Sequence, residues 1–230
     1  LQKGADDEAA AQLKRLHATA RLEPTFKTAF HLASTPARYA LERRAWSEAA
    51  LLAAREPSTL DWDRFAWPEA IMQFARGLGA VHLGKVNEAK AAGQRLNKLE
   101  AATRKAGEEL FARNIQVLRL ELNAWVAHVE GQRDSGVALM REAAELEAST
   151  PKHAVTPGPT LPAHEQLGDL LMEQNQPGQA LAAYERSIAF YPRRFNGLLG
   201  AARAARALGD DSRARTYYQQ FLELANDGTR

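Results

Sequence analysis

Apolar residues recur along this chain at steps of three and four, the spacing that lines one face of a helix. The pattern is plain in "PARYALERRAWSEAALLAA", in "ARGLGAVHLGKVNEAKA" and from Leu161 to Pro192. The opening stretch "DDEAAAQLKRLHATARL" reads as a further helix, and Val86 to Glu109, rich in Ala, Lys, Glu and Leu, reads as one extended helix. Strand signals are sparse: β-branched residues are few, and no hairpin dipeptide separates two alternating runs. The chain is therefore predicted to be all-α. One segment breaks the helical pattern. Residues 149–162, "STPKHAVTPGPTLP", carry four prolines and cannot be helical for most of their length.

The helical segments repeat one another. Shifting by 34 residues carries Gly168 onto Ala202, Ala180 onto Ala214 and Tyr184 onto Tyr218, with "QPGQA" and "GDDSRA" as turns between paired helices. Gly77, Gly84 and Ala89 hold the relative places of Gly168, Asn175 and Ala180, with glycine at the turn. Ala124, Gly131, Gly136, Met140 and Ala143 give another copy, and Ala37 with Ala49 a fourth. The aligned small residues Ala49, Ala89, Gly136, Ala180 and Ala214 are separated by 40, 47, 44 and 34 positions. Small side chains let two helix backbones approach where they cross, an aromatic fills the gap between successive pairs, and proline ends a helix that it cannot continue.

On these residues the chain resembles the tetratricopeptide repeat family, over roughly residues 30 to 226. "PARYALER", "FARGLGA" and "TPKHAVTPGPTLPAHEQLGDLL" are similar to the C-terminal portion of larger bacterial proteins of that family without a defined biochemical role. The resemblance implies an all-α domain over 1–230, in which antiparallel helical hairpins stack into a right-handed solenoid. Residues 1–29 are then a partial preceding unit, 30–148 divergent hairpins, 149–162 a Pro-rich connector and 163–226 two well-matched hairpins. It also implies a concave surface lined by the first helix of each pair, with Glu121, Trp125, His128, Glu165, Asp169, Asn196, Arg203 and Arg206 as candidate partner contacts. The family's clamp for chaperone C-termini is missing: its places hold Pro162, Glu165, Asp169, Leu199, Gly200 and Arg203 rather than lysines and asparagines.

Composition narrows the function classes. Thirty basic and 28 acidic residues leave a net charge of +2, so no strong field points to nucleic acid or an anionic membrane. No apolar run reaches the length of a bilayer-spanning helix. Cysteine is absent, which removes disulfides, thiol nucleophiles and thiolate zinc sites. His17, His31, His82, His128, His153 and His164 include no i, i+4 pair and no HExxH, and no nucleophile elbow or phosphate loop follows a strand. No cofactor or metal is implied.

The expected function is a non-catalytic scaffold that binds a protein or peptide; the alternative is an accessory or regulatory domain of a larger enzyme or ligand-sensing protein. Two features stay open. The connector is either a strap over the groove, with Lys152 and His153 as polar contacts, or an external spacer. Tyr217, Leu222 and Leu224 near the C-terminus form an apolar edge that pairs with another copy or domain, or is covered by the tail. The chain starts at Leu1, which leaves two compartments: cytoplasmic or, after removal of an export signal, periplasmic.

Overall fold

The computed structural model describes residues 1–18, 23–153, 158–225 and 228. Among these residues there are eleven α-helices and no strand. They are α1 (Asp6–His17), α2 (Phe26–Glu42), α3 (Trp46–Ala50), α4 (Ala66–His82), α5 (Val86–Lys105), α6 (Glu109–Val129), α7 (Arg133–Ser149), α8 (Ala163–Glu173), α9 (Pro177–Phe190), α10 (Phe195–Ala207) and α11 (Asp211–Leu224). Consecutive pairs α2/α3, α4/α5, α6/α7, α8/α9 and α10/α11 form five stacked hairpins, with α1 against α2.

Two local rules build every hairpin. The first is a left-handed residue at the turn, which lets the chain reverse after only a few residues. Gly84, Gly131 and Gly209 take that place, and Asn175 and Arg44 accept the same positive φ in the other two turns. The second is a small residue four positions into each second helix: Ala49, Ala89, Gly136, Ala180 and Ala214 all sit there, buried. A Cβ on Gly136 would lie 2.9 Å from the Ala124 carbonyl oxygen of the facing helix, so nothing larger fits. Between hairpins, the buried Tyr184 ring is pressed between Gly168 of α8 and Gly200 of α10. A Cβ on Gly168 would meet the ring at 2.6 Å.

Three expectations need correction. The first hairpin begins at Phe26 and not at residue 30, since Thr25 caps α2 by accepting from the Thr28 amide. The single helix expected over Val86–Glu109 stops at Lys105, where Gly107 turns the chain with φ +79° and α6 starts anew at Glu109. The apolar pattern of 46–54 gives only the short α3, after which the chain leaves the helix and buries Leu60, Trp62 and Phe65 in the core. Residues 19–22 of the predicted first helix lie outside the described residues.

Candidate binding groove

The first helices α2, α4, α6, α8 and α10 share the inner side of the stack, and the stack is wound tightly enough that the end of α2 meets α8 and α10. Arg194 joins the three elements. Its Nε donates to Glu165 at 2.9 Å, and one terminal nitrogen donates to both oxygens of Glu42 at 2.9 and 3.1 Å. Asn196 donates to the Glu42 carbonyl oxygen at 2.9 Å, and Gln2 bridges the Glu42 carboxylate to the Phe195 amide. Burial opposes charge on Arg194, yet Glu165 and Glu42 outweigh it and hold the guanidinium more firmly protonated than usual.

The eight predicted contacts consequently divide into two groups. Glu121, Trp125, Glu165 and Asn196 are buried, each 6% exposed or less, so they do not present an open surface. Three of them are engaged by the chain itself, since Trp125 donates to Gln166 at 2.8 Å and Glu165 and Asn196 serve the Arg194 junction, while neither Glu121 oxygen has a hydrogen-bond partner among the described residues. Asp169, His128, Arg203 and Arg206 stand nearer solvent. Asp169 accepts both a bidentate contact from Arg44 at 2.9 and 2.8 Å and the Tyr184 hydroxyl at 2.6 Å, while Arg203 and Arg206 are exposed on α10.

Asp169, Asn196 and Arg203 come together at a cleft of about 280 Å³, whose other walls include Arg44, Glu173 and Gly200. Beside it runs a row of rings, of which the sequence singled out Trp125 and His128 as contacts but not Trp46 or His82. Trp46 stacks on His82 with centroids 4.0 Å apart, His82 leans on Trp125 at 4.5 Å, and Trp125 meets His128 edge-on at 5.8 Å. His128 continues to Glu173 at 3.0 Å. Burial lowers the His82 pKa to about 4, so this imidazole is neutral near pH 7 and belongs to the aromatic stack. His82 comes from the end of α4, Trp125 and His128 from α6 and Trp46 from the start of α3, and only the stacking of hairpins aligns them.

Residues 161–194 match the tetratricopeptide repeat family. The matched span is the α8/α9 hairpin and its flanks, the region where Tyr184 is held between two glycines. No curated protein sequence matches the chain. Among solved structures, a Podosopora anserina chain of nearly identical TPR-like repeats, of kinesin light chain description, is similar over 91% of this chain and 100% of that one, at 18% identity and a TM-score of 0.44. The other four hairpins repeat the turn and crossing positions of α8/α9, completing an all-α solenoid.

The connector after this region's preceding helix, α7, has a defined place. Arg38 of α2 donates to the carbonyl oxygens of Gly158 and Pro159 at 2.9 and 2.7 Å. The His153 ring packs 6.1 Å from Phe26 and 4.9 Å from Phe111, and Lys152 sits over Tyr191. The described parts of the segment therefore pack against both ends of α2, at Phe26 and Arg38, and against Phe111 near the start of α6, with Lys152 and His153 in ring contacts; residues 154–157 lie outside the described residues. Under the connector is a small cavity of about 40 Å³ lined by Trp67, Asn114, Glu147, Thr160 and Tyr191.

At the C-terminus, Leu224 is buried and the Tyr217 hydroxyl donates to Glu185 at 2.9 Å, which corrects the expected apolar edge to Leu222, 64% exposed. Among the described residues no helix is long and apolar enough to cross a membrane.

Proposed function

We propose that this chain is a non-catalytic scaffold that binds a protein or peptide partner at the cleft between α8 and α10, with Asp169, Arg203 and Arg206 as its charged contacts and His128 at its edge. The observation that carries the reading is the convergence of an acidic and a basic side chain on the one part of the inner side where predicted contacts meet open space. A partner enters this cleft from the α10 flank, where Arg203 and Arg206 are exposed. The bidentate Arg44–Asp169 pair fixes the acidic wall, while Arg203 stays exposed and available to a carboxylate. Glu121, Trp125, Glu165 and Asn196 act in this reading by holding the groove's shape.

The test is capture on immobilised protein, comparing the wild type with the double variant Arg203→Glu, Arg206→Glu. Both side chains are exposed, so the fold stays intact by circular dichroism. Reversal of two contact charges weakens a specific partner at least about tenfold. A partner retained equally by both proteins removes the cleft from the binding surface.

A further inference from the structure

The second helices α7 and α9 leave a groove between them on the face of α8 turned away from the cleft. His164, Leu167 and Leu171 of α8 line this groove, whereas Asp169, Met172 and Glu173 of the same helix line the cleft. The groove exists because the facing positions of α7 and α9 are alanines: Ala144, Ala182 and Ala183 are too short to close the gap, leaving about 420 Å³. That volume falls in the range of small-molecule sites, which are mostly apolar with a few convergent polar groups.

Two guanidiniums and one carboxylate, Glu145, line this groove, and the guanidiniums are incompletely paired. Arg141 donates to the Gln179 amide oxygen and to no carboxylate among the described residues. Arg186 has one long contact with Glu145, 3.7 Å, in which both side chains are more than half exposed. His164 is buried, stacked on Phe190 at 6.1 Å, and neither ring nitrogen has a hydrogen-bond partner among the described residues. Burial, and after it the neighbouring Arg186, lower its pKa, so the ring is a neutral wall with an unused donor.

We propose that this groove binds a small carboxylate with an apolar body, a medium-chain or aryl-alkanoic acid. The body covers Leu167, Leu171 and the alanines; the carboxylate is held by Arg141 and Arg186. An anion at this place supplies Arg141 with the charge-assisted partner it lacks and Arg186 with a closer one than Glu145. The site is independent of the cleft and does not rest on the partner-binding reading.

Calorimetry with octanoate, octanol and octylamine tests it, since the three share a chain and differ in head group. Octanoate binds to the wild type at least about tenfold more tightly than octanol, octylamine not at all, and the His164 ring-proton resonances move during the octanoate titration. Arg141→Gln with Arg186→Gln reduces octanoate to the level of octanol. Ala182→Trp, at an exposed position in the groove wall, abolishes binding with the unfolding transition preserved. Equal binding of octanoate and octanol, octanoate binding that survives Ala182→Trp, or absence of octanoate binding overturns the proposal. Arg203→Glu with Arg206→Glu leaves octanoate binding unchanged, which separates failure here from failure of the cleft.

Discussion

Two pairs of carboxyl groups are drawn wholly or partly into the interior, Glu147 alone being only partly buried, and they are treated differently. Glu42 and Glu165, from α2 and α8, share the guanidinium of Arg194 and bury their charge against it. Glu121 and Glu147, from α6 and α7, act on each other without an ion pair to any cation among the described residues, although the charge of Arg194 is felt at Glu147. Neither Glu121 oxygen has a hydrogen-bond partner among the described residues, and Glu147 is met by the Ala163 amide and the Tyr191 hydroxyl. Burial, then Glu147, pushes the Glu121 pKa well up; burial dominates at Glu147 and raises it to about 8. The first pair is bridged by a guanidinium, although burial still raises the Glu165 pKa; the second has no such bridge and is held protonated by desolvation, because an isolated charge in the interior is too costly to keep.

Removing the shared cation breaks the contrast most severely. Arg194→Met leaves two buried carboxylates uncompensated at the junction of α2, α8 and α10, and costs about 3–5 kcal/mol in urea unfolding at pH 7. Adding Glu42→Gln and Glu165→Gln to that variant recovers part of the loss, since the charge that needed a partner is gone. A loss below about 1 kcal/mol, or no recovery, contradicts the assignment of Arg194 as the joint.

The unpaired carboxyls predict a pH slope of definite sign. Their folded pKa lies above the unfolded value of 4.5, so the native state holds protons that the unfolded chain has released, and stability falls as pH rises toward about 8. His82 works oppositely, but its contribution is lost only as pH falls from 6.5 toward 4. Between pH 6.5 and 8 the carboxyls therefore decide, at up to about 1.4 kcal/mol per pH unit for each proton. Glu121→Gln with Glu147→Gln flattens this slope and raises stability at pH 8. A wild-type stability that is level or rising over that window refutes the protonated pair.

How much of this could be read beforehand follows from the range of each interaction. The hairpins were legible because crossings are local and repeat: Ala49, Ala89, Gly136, Ala180 and Ala214 fall at one register, and Gly84 and Asn175 share one turn geometry. The Tyr184 wedge was legible for the same reason. Gly168→Ala puts a methyl into that ring and costs about 1–3 kcal/mol, measurable by thermal unfolding. The short α3 was not legible, since its end reflects Leu60, Trp62 and Phe65 reaching a distant core. Nor was the fate of Glu121, Glu165 and Asn196. Polar residues on first helices point to an open groove only if the stack stays open, and the Glu42–Arg194 contact spans 152 positions. Of the proposed site, Asp169 and Arg203 came from the resemblance to the repeat family; His82 and Trp46 needed the stacked neighbours.

A last variant separates proximity from burial as the source of the contrast. Lys90 and Glu130 approach to 2.5 Å, closer than the 2.9 Å of Arg194 to Glu165, yet their side chains are 47% and 33% exposed. In water both ions are already solvated, so closing the pair exchanges one good environment for another and restricts two flexible side chains. Lys90→Ala accordingly changes stability by less than about 1 kcal/mol and the remaining effect fades in high salt. If it instead matched Arg194→Met, contact distance and not desolvation would govern these pairs, and the protonated state assigned to Glu121 and Glu147 would lose its physical basis.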